Sequence, residues 1–243
     1  WVPFTARFAD HVIVPSMATR DDVVACAGLS PDRISVIPLG NPIDGAAGVG
    51  GPDVTSVGRH YGLDRPYVLY VGTIDRRKDY ETLLDAVRVL GDVDLVVAGT
   101  VIAGRTDFHE CIARRGMTSC VRVLGYVPDA DLPGLYAGAA VFVYPSFFEG
   151  FGLPVLEAMA CGTPVVTYRT TSLPEVVGDA GVLLAPPVDA GTLARAIRRV
   201  MEDDVFRRTL VKRGRDRACA FDWRAVAART SAVYAAVVRR RSG

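Results

Sequence analysis

From residue 66 to about residue 203, short apolar runs alternate with longer stretches whose apolar positions recur every three or four residues. PYVLYVG, DLVVAG, VRVLGYV, VFVYPS, TPVVTY and AGVLLAP each predict a strand. Between them lie amphipathic segments. ETLLDAVRVL places Leu83, Val87 and Leu90 on one helical face, and TLARAIRRVM does the same with Leu193, Ile197 and Val200. Strands that are apolar at consecutive positions leave no face for solvent, so helices must cover both sides of the sheet. The expected architecture is α/β, a doubly wound parallel sheet, which takes ligands beyond the carboxyl ends of its strands.

The flanks follow another pattern. Residues 1–44 hold a further strand (HVIVPS), a helix and a strand (ISVIPLG), and read as the last part of a different domain. GAAGVGGPDV follows and reads as a linker, so 45–60 is taken as the connection to a domain over 61–220. In 221–243, FDWRAVAARTSAVYAAVVRRR sets Val226, Thr230, Val233 and Val237 on one face of a helix, and Arg239 to Arg241 complement the dipole at its end.

Composition narrows the function. The 243 residues are half apolar and carry a formal charge of +1, which gives no electrostatic reason to expect nucleic acid. No apolar run approaches the ~20 residues of a membrane span. WVPFTARFAD has no basic segment followed by an apolar one, so no secretion signal is visible. Five cysteines, never paired as CxxC, argue against zinc or a disulfide framework, and reducing cytosol is the expected location. Lys78 and Lys212 are the only lysines in the chain. A compact ammonium was therefore kept at position 78 where arginine is otherwise the rule.

EGFGLPVLEAMACGTP, residues 149–164, has chemistry that core packing does not require. On one helix Glu149 and Glu157 would lie ~80° apart. Gly150, Gly152 and Pro154 instead put the helix start near Leu153 and its end at Cys161-Gly162. Glu149 then stands on the loop, and free N–H groups around Phe151 to Leu153 face whatever lies beyond VFVYPS. Such a helix mouth attracts phosphate, whereas Glu149 is suited to hydroxyls and Glu157 to those of a ribose. Read alone, the two acids could equally be a solvated loop residue and a partner of the dipole. GTIDRRKDY, residues 72–80, tips the balance. Gly72 ends a strand, and Arg77 and Lys78 follow at its carboxyl end, where two cations suit a diphosphate that gains charge as a sugar departs.

These segments, with LGYVPDADLPGLYAGAAVFVYPS and SLPEVVGDAGVLL, resemble the nucleotide-sugar-binding half of the retaining family 4 glycosyltransferases of the GT-B fold over residues 66–203. Residues 1–44 resemble the last elements of the acceptor-side domain, and the FDW segment resembles the helix that crosses back to it. The resemblance implies a metal-independent transferase without cofactor that moves a sugar from a nucleotide-sugar donor to a glycan or lipid-linked acceptor. Lys78 would hold the donor diphosphate with Arg77 assisting, and Glu149 would meet sugar hydroxyls. The backbone of Gly150, Phe151, Gly152 and Leu153 would meet sugar and phosphates, Glu157 the ribose and the Val127 backbone the base. Thr73 departs from the family, many of whose members carry Arg directly after the glycine. The form GTIDRRKD leans toward members resembling mannosyltransferases that use GDP-mannose. By resemblance, too, the acceptor side would be completed by further N-terminal sequence or a partner chain, in the cytoplasm, with at most peripheral contact at the inner membrane face. A donor-binding half-subunit without activity of its own, a UDP-sugar transferase and an epimerase of the same fold stay open.

Other signals are weaker. GTVIAGRT (99–106) imitates a phosphate loop but has Arg105 in place of lysine, which leaves Gly99 as an edge of the nucleotide pocket. DVD (92–94) precedes a strand, and DAD (129–131) stands where Asp would cap a helix rather than bind a metal. His11, His60 and His109 share no spacing, and the aromatics of VFVYPSFFEGF lack the basic groove of a nucleic-acid platform.

Overall fold

The computed structural model describes residues 5–43, 53–101 and 107–242. A small first unit comprises β1 (Val12–Val14), α1 (Met17–Ala27) and β2 (Ile34–Val36). Its two strands are parallel, with Val12 opposite Ile34 and Val14 opposite Val36, over a minor core of Val14, Ala27, Leu29 and Ile34.

The large unit runs through α2 (Val54–His60), β3 (Tyr67–Val71), α3 (Tyr80–Leu90), β4 (Asp94–Ala98), α4 (Phe108–Arg114), β5 (Val121–Gly125), α5 (Leu132–Gly138) and β6 (Val141–Tyr144). It continues with α6 (Leu153–Ala160), β7 (Val165–Tyr168), α7 (Leu173–Val177), β8 (Val182–Leu184), α8 (Ala190–Glu202) and α9 (Asp204–Ala218). β3 to β8 form one parallel sheet in the order β5-β4-β3-β6-β7-β8. The expected doubly wound α/β sheet is therefore present. Leu83 and Val87 of α3, and Leu193, Ile197 and Val200 of α8, are buried where these two helices pack together. Burial of each such side chain is worth about 1.5–3 kcal/mol.

The chain winds outward through β3, β4 and β5, then restarts at β6 beside β3 and winds the other way. Loops leaving the carboxyl ends of β3 and β6 consequently diverge to opposite faces and open a crevice between them. Everything that matters chemically is placed by this reversal.

Two expectations need correction. Of the segment read as a linker, 45–52 lie outside the described residues, whereas 54–60 form α2. Asp53 caps α2 by accepting from Ser56 N at 2.9 Å, and Val57 buries itself in the large core. A short apolar face on a capped turn was enough to recruit these residues. In DAD, Asp131 occupies the N-cap position of α5 but makes no capping hydrogen bond, because its carboxylate accepts from the Tyr61 hydroxyl at 2.8 Å. Asp94, the last residue of DVD, pairs with Arg65 at 2.7 Å.

The last helix, α10 (Trp223–Ser242), returns to the first unit. The Trp223 ring lies so close over Gly40 that a Cβ there would come within 2.5 Å of it, and Arg229 donates to the Val36 carbonyl at 2.6 Å. Val226, Thr230, Val233 and Val237, the face read from the sequence, are among its less exposed positions, with Ala236.

Candidate functional site

The crevice at the strand reversal holds the two loops singled out above. After β3, the Asp75 carboxylate accepts from the Arg77 backbone N–H at 2.9 Å and opens a single 3-10 turn, Arg76–Lys78. Asp79, at φ 42°, ends that turn and starts α3. The tight turn directs Lys78 inward, leaving its side chain 4% exposed, while Arg77 remains 40% exposed. On the other side of the crevice the loop leaving β6 is tied to this turn, since Phe147 N donates to the Arg77 carbonyl at 2.9 Å.

Glu149 is thereby brought against both cations. Lys78 Nζ donates to the Tyr144 hydroxyl and to Glu149 Oε1, and lies 4.2 Å from the centre of the Tyr144 ring. Arg77 Nη1 donates to the same oxygen at 2.9 Å, and Ser146 Oγ at 2.7 Å. All three bonds end on Oε1; Oε2 accepts none of them. Burial pulls the Lys78 ammonium below the ordinary lysine value, against the opposing pull of its bond to Glu149.

The loop between Glu149 and α6 is held by its carbonyls. Ser172 Oγ lies 2.9 Å from the Glu149 carbonyl and 3.0 Å from that of Phe151, and Thr170 Oγ1 donates to the Ser146 carbonyl at 2.7 Å. The Glu149 N–H donates to Thr171 Oγ1 at 3.0 Å. Gly152 sits at φ 105°, and a Cβ there would come within 2.8 Å of Leu173 Cδ2, so glycine alone fits the entry to α6. The N–H groups of Gly150, Phe151, Gly152 and Leu153 find no acceptor among the described residues. Four free donors and a helix dipole at one point are suited to an anion.

One turn into α6, Glu157 accepts from the Tyr136 hydroxyl at 2.7 Å. Burial pushes its carboxyl above the ordinary glutamate value, the Asp129 charge pushes it further, and the Tyr136 bond opposes both. A carboxyl raised on folding binds more protons in the native than in the unfolded state. The parent chain should therefore lose stability as pH rises from 4.5 through the raised value. Glu157→Gln lacks this dependence, so its urea midpoint relative to the parent is expected to rise over the same interval. Parallel curves for the two would show that Glu157 does not titrate abnormally.

Beside this cluster lies a cavity of about 230 Å³ lined by Gly72, Thr73, Gly99, Val127 and Asp129 among others. The predicted residues thus fall into two adjoining groups that meet on the β3 loop. Arg77, Lys78 and Glu149 touch one another, while Gly72, Thr73, Gly99 and Val127 share the cavity; Glu157 lies within the electrostatic reach of its Asp129. Of GTVIAGRT, Arg105 lies outside the described residues. The sequence reading missed Ser146, Thr171 and Ser172, and took Tyr144 for core or pocket wall without its bond to Lys78. Tyr144 and Ser146 sit in or just after an apolar run and look like core, and only their hydroxyls betray another role. Among the described residues no group of three or more His, Cys, Asp or Glu is placed to hold a metal.

The chain is similar to known proteins over most of its length. A family model described as "Glycosyl transferases group 1" matches residues 60–217. O-antigen chain mannosyltransferase B of Escherichia coli is 43% identical over 173 residues, covering 69% of this chain and 45% of that protein. MMP alpha-(1->4)-mannosyltransferase of Mycolicibacterium hassiacum is 33% identical over 242 residues, 97% of this chain and 56% of that protein. The chain spans about half the length of these curated relatives. Among solved structures, Anabaena HepE in complex with UDP and glucose superposes with a TM-score of 0.86 at 26% identity, covering 97% of this chain and 65% of that one. The matched segment contains the cationic turn, the Glu149 loop and the whole six-stranded sheet, and the chain belongs to the glycosyl transferases group 1 family.

Proposed function

We propose that this chain is the donor-binding part of a retaining family 4 glycosyltransferase that transfers a sugar, with a lean toward mannose from GDP-mannose, to a glycan or lipid-linked acceptor. Residues 1–44 are the closing elements of the acceptor-side domain, 61–220 the donor domain and 221–243 the helix that returns. The observation that carries this reading is the convergence of Lys78 and Arg77 on Glu149 in the crevice, next to four unpartnered N–H groups.

The diphosphate of the donor competes with Glu149 for the two cations and takes the N–H groups at the mouth of α6. Glu149, with Oε2 open, accepts from sugar hydroxyls. Glu157 takes the ribose, and the cavity of Gly72, Thr73, Gly99 and the Val127 backbone takes the base. The bond between anomeric carbon and leaving phosphate oxygen breaks; the acceptor oxygen attacks on the same face, and its proton passes to that leaving oxygen. Charge growing on the diphosphate is met by Lys78, Arg77 and the helix mouth, without a metal. Two of the relatives are mannosyltransferases by name, which supports the lean toward mannose. Contact with a lipid-linked acceptor is peripheral in this reading, at the inner face; no helix among the described residues is long and apolar enough to cross a membrane.

Calorimetric titration of the chain with GDP, UDP, GDP-mannose and UDP-glucose tests the assignment. GDP compounds are expected to bind at least about 10-fold tighter than UDP compounds, a difference of ~1.4 kcal/mol. Tighter UDP binding would move the donor class, and failure of all four to bind would remove the function.

A further inference from the structure

The Gly150 carbonyl is held from the other unit. Ser16, buried at the N-terminus of α1, donates from Oγ to it at 2.8 Å, and Thr19 Oγ1 donates to the same oxygen at 3.1 Å. The helix bearing these hydroxyls is itself anchored to the large unit. The Glu175 carboxylate of α7 accepts from Met17 N at 2.8 Å and from Ala18 N at 2.9 Å. Ser172, just before α7, has its hydroxyl 2.9 Å from the Glu149 carbonyl and 3.0 Å from that of Phe151, so its single proton serves one of them at a time. Of these three successive carbonyls at the mouth of the anion site, the middle one is thus held by the first unit alone.

Peptide planarity gives this arrangement its consequence. In a trans peptide the C=O and the following N–H point in opposite directions, and the only cis bond among the described residues is Pro186-Pro187. Fixing the Gly150 carbonyl, which has two separate hydroxyl donors, therefore fixes the direction of the Phe151 N–H, which has no protein acceptor among the described residues. Gly150 has no Cβ to restrict its backbone angles. The local chain does not hold the peptide by itself.

We propose that Ser16 and Thr19 are positioning residues for the donor: by clamping the Gly150 carbonyl they aim the Phe151 N–H at the donor phosphate, so donor binding depends on the docking of the first unit. This rests on the donor-binding role argued above. An unclamped peptide can rotate its N–H away, and a hydrogen bond to a charged group is then lost from the complex but not from the free protein.

The test is the affinity of the chain for GDP or UDP, whichever the parent binds more tightly, in the double variant Ser16→Gly/Thr19→Val. Ser16 also caps α1, accepting from Thr19 N at 3.0 Å, and glycine is chosen because it is a fair cap without a hydroxyl. The nucleotide dissociation constant is expected to rise roughly 10-fold, while the melting temperature of the ligand-free variant stays within about 4 °C of the parent. Ser16→Gly/Thr19→Ser, which restores one donor, is expected to recover most of the affinity. Parental affinity in the double variant overturns the clamp, as does a loss that Thr19→Ser does not recover. Lys78→Ala separates the two layers: if it too binds nucleotide like the parent, the donor site is misplaced; if it fails to bind while Ser16→Gly/Thr19→Val binds normally, only the clamp falls.

Discussion

In a complete enzyme of the proposed function, Lys78→Ala is expected to lower the turnover of sugar transfer at least about 10²-fold, the scale of removing one donor to a developing oxyanion. Its melting temperature at pH 7 should not fall with it. The ammonium is buried, and burial has pulled its proton affinity down; the native fold thus holds the charged form at a cost that is present below the depressed value and relieved as pH climbs toward the ordinary 10.5. Glu149, left behind, still has Arg77 and Ser146. Lys78→Arg does not rescue, because a planar guanidinium cannot occupy a site walled by the Tyr144 ring and closed to 4% exposure. Glu149→Ala is expected to cost a similar factor, because it removes the carboxylate proposed to accept from the sugar hydroxyls and orient the sugar. Single-turnover transfer, nucleotide titration and thermal melting separate these effects. Wild-type turnover in either alanine variant would refute the assignment of the site.

Gly99→Ala is expected to destabilise the fold by ~2–4 kcal/mol, lowering the melting temperature by roughly 5–15 °C. Gly99 has φ 141°, and a Cβ there would lie 2.1 Å from the Gly72 carbonyl oxygen and 2.7 Å from its carbon. Neither backbone can retreat. Gly72 N donates to the Ala98 carbonyl at 2.9 Å and Gly99 N to the Gly125 carbonyl at 2.7 Å, so both are fastened to the sheet. The ends of β3 and β4 approach closely enough to floor the cavity only because Gly99 lacks a side chain. Gly58→Ala is the control. It lies inside α2 with its nearest neighbour, the Leu63 carbonyl oxygen, 3.8 Å from the added carbon, and should be neutral or slightly stabilising. Equal urea midpoints for the two variants would mean that the close approach is absent in solution.

The identity of the elements was legible along the chain because hydrophobic period is a local property. DLVVA and VFVY are too short and β-branched for helices and are bounded by turn residues, which reads as strands buried on both faces, and Leu83, Val87 and Leu90 share a face on a helix. The two site loops were legible for a different reason. Gly72, Gly152 and Pro154 punctuate the chain next to charges that a core cannot use, so Lys78 and Glu149 stood out before any fold was known. What the pattern could not carry was their partnership. Residues 78 and 149 meet because β6 inserts beside β3 and not beside β5, and strand order depends on pairings between segments far apart in sequence. The same holds for the hydroxyls of Tyr144, Ser146 and Ser172, whose roles lie in which carbonyl, carboxylate or ammonium they reach across the crevice. The sequence by itself determined a parallel α/β sheet, a cationic turn and a helix mouth with an acid ahead of it. Only the tertiary structure decided that the acid rests on the cations and that the first unit reaches the same loop, since burial and direction of a polar group are set by neighbours that local sequence does not specify.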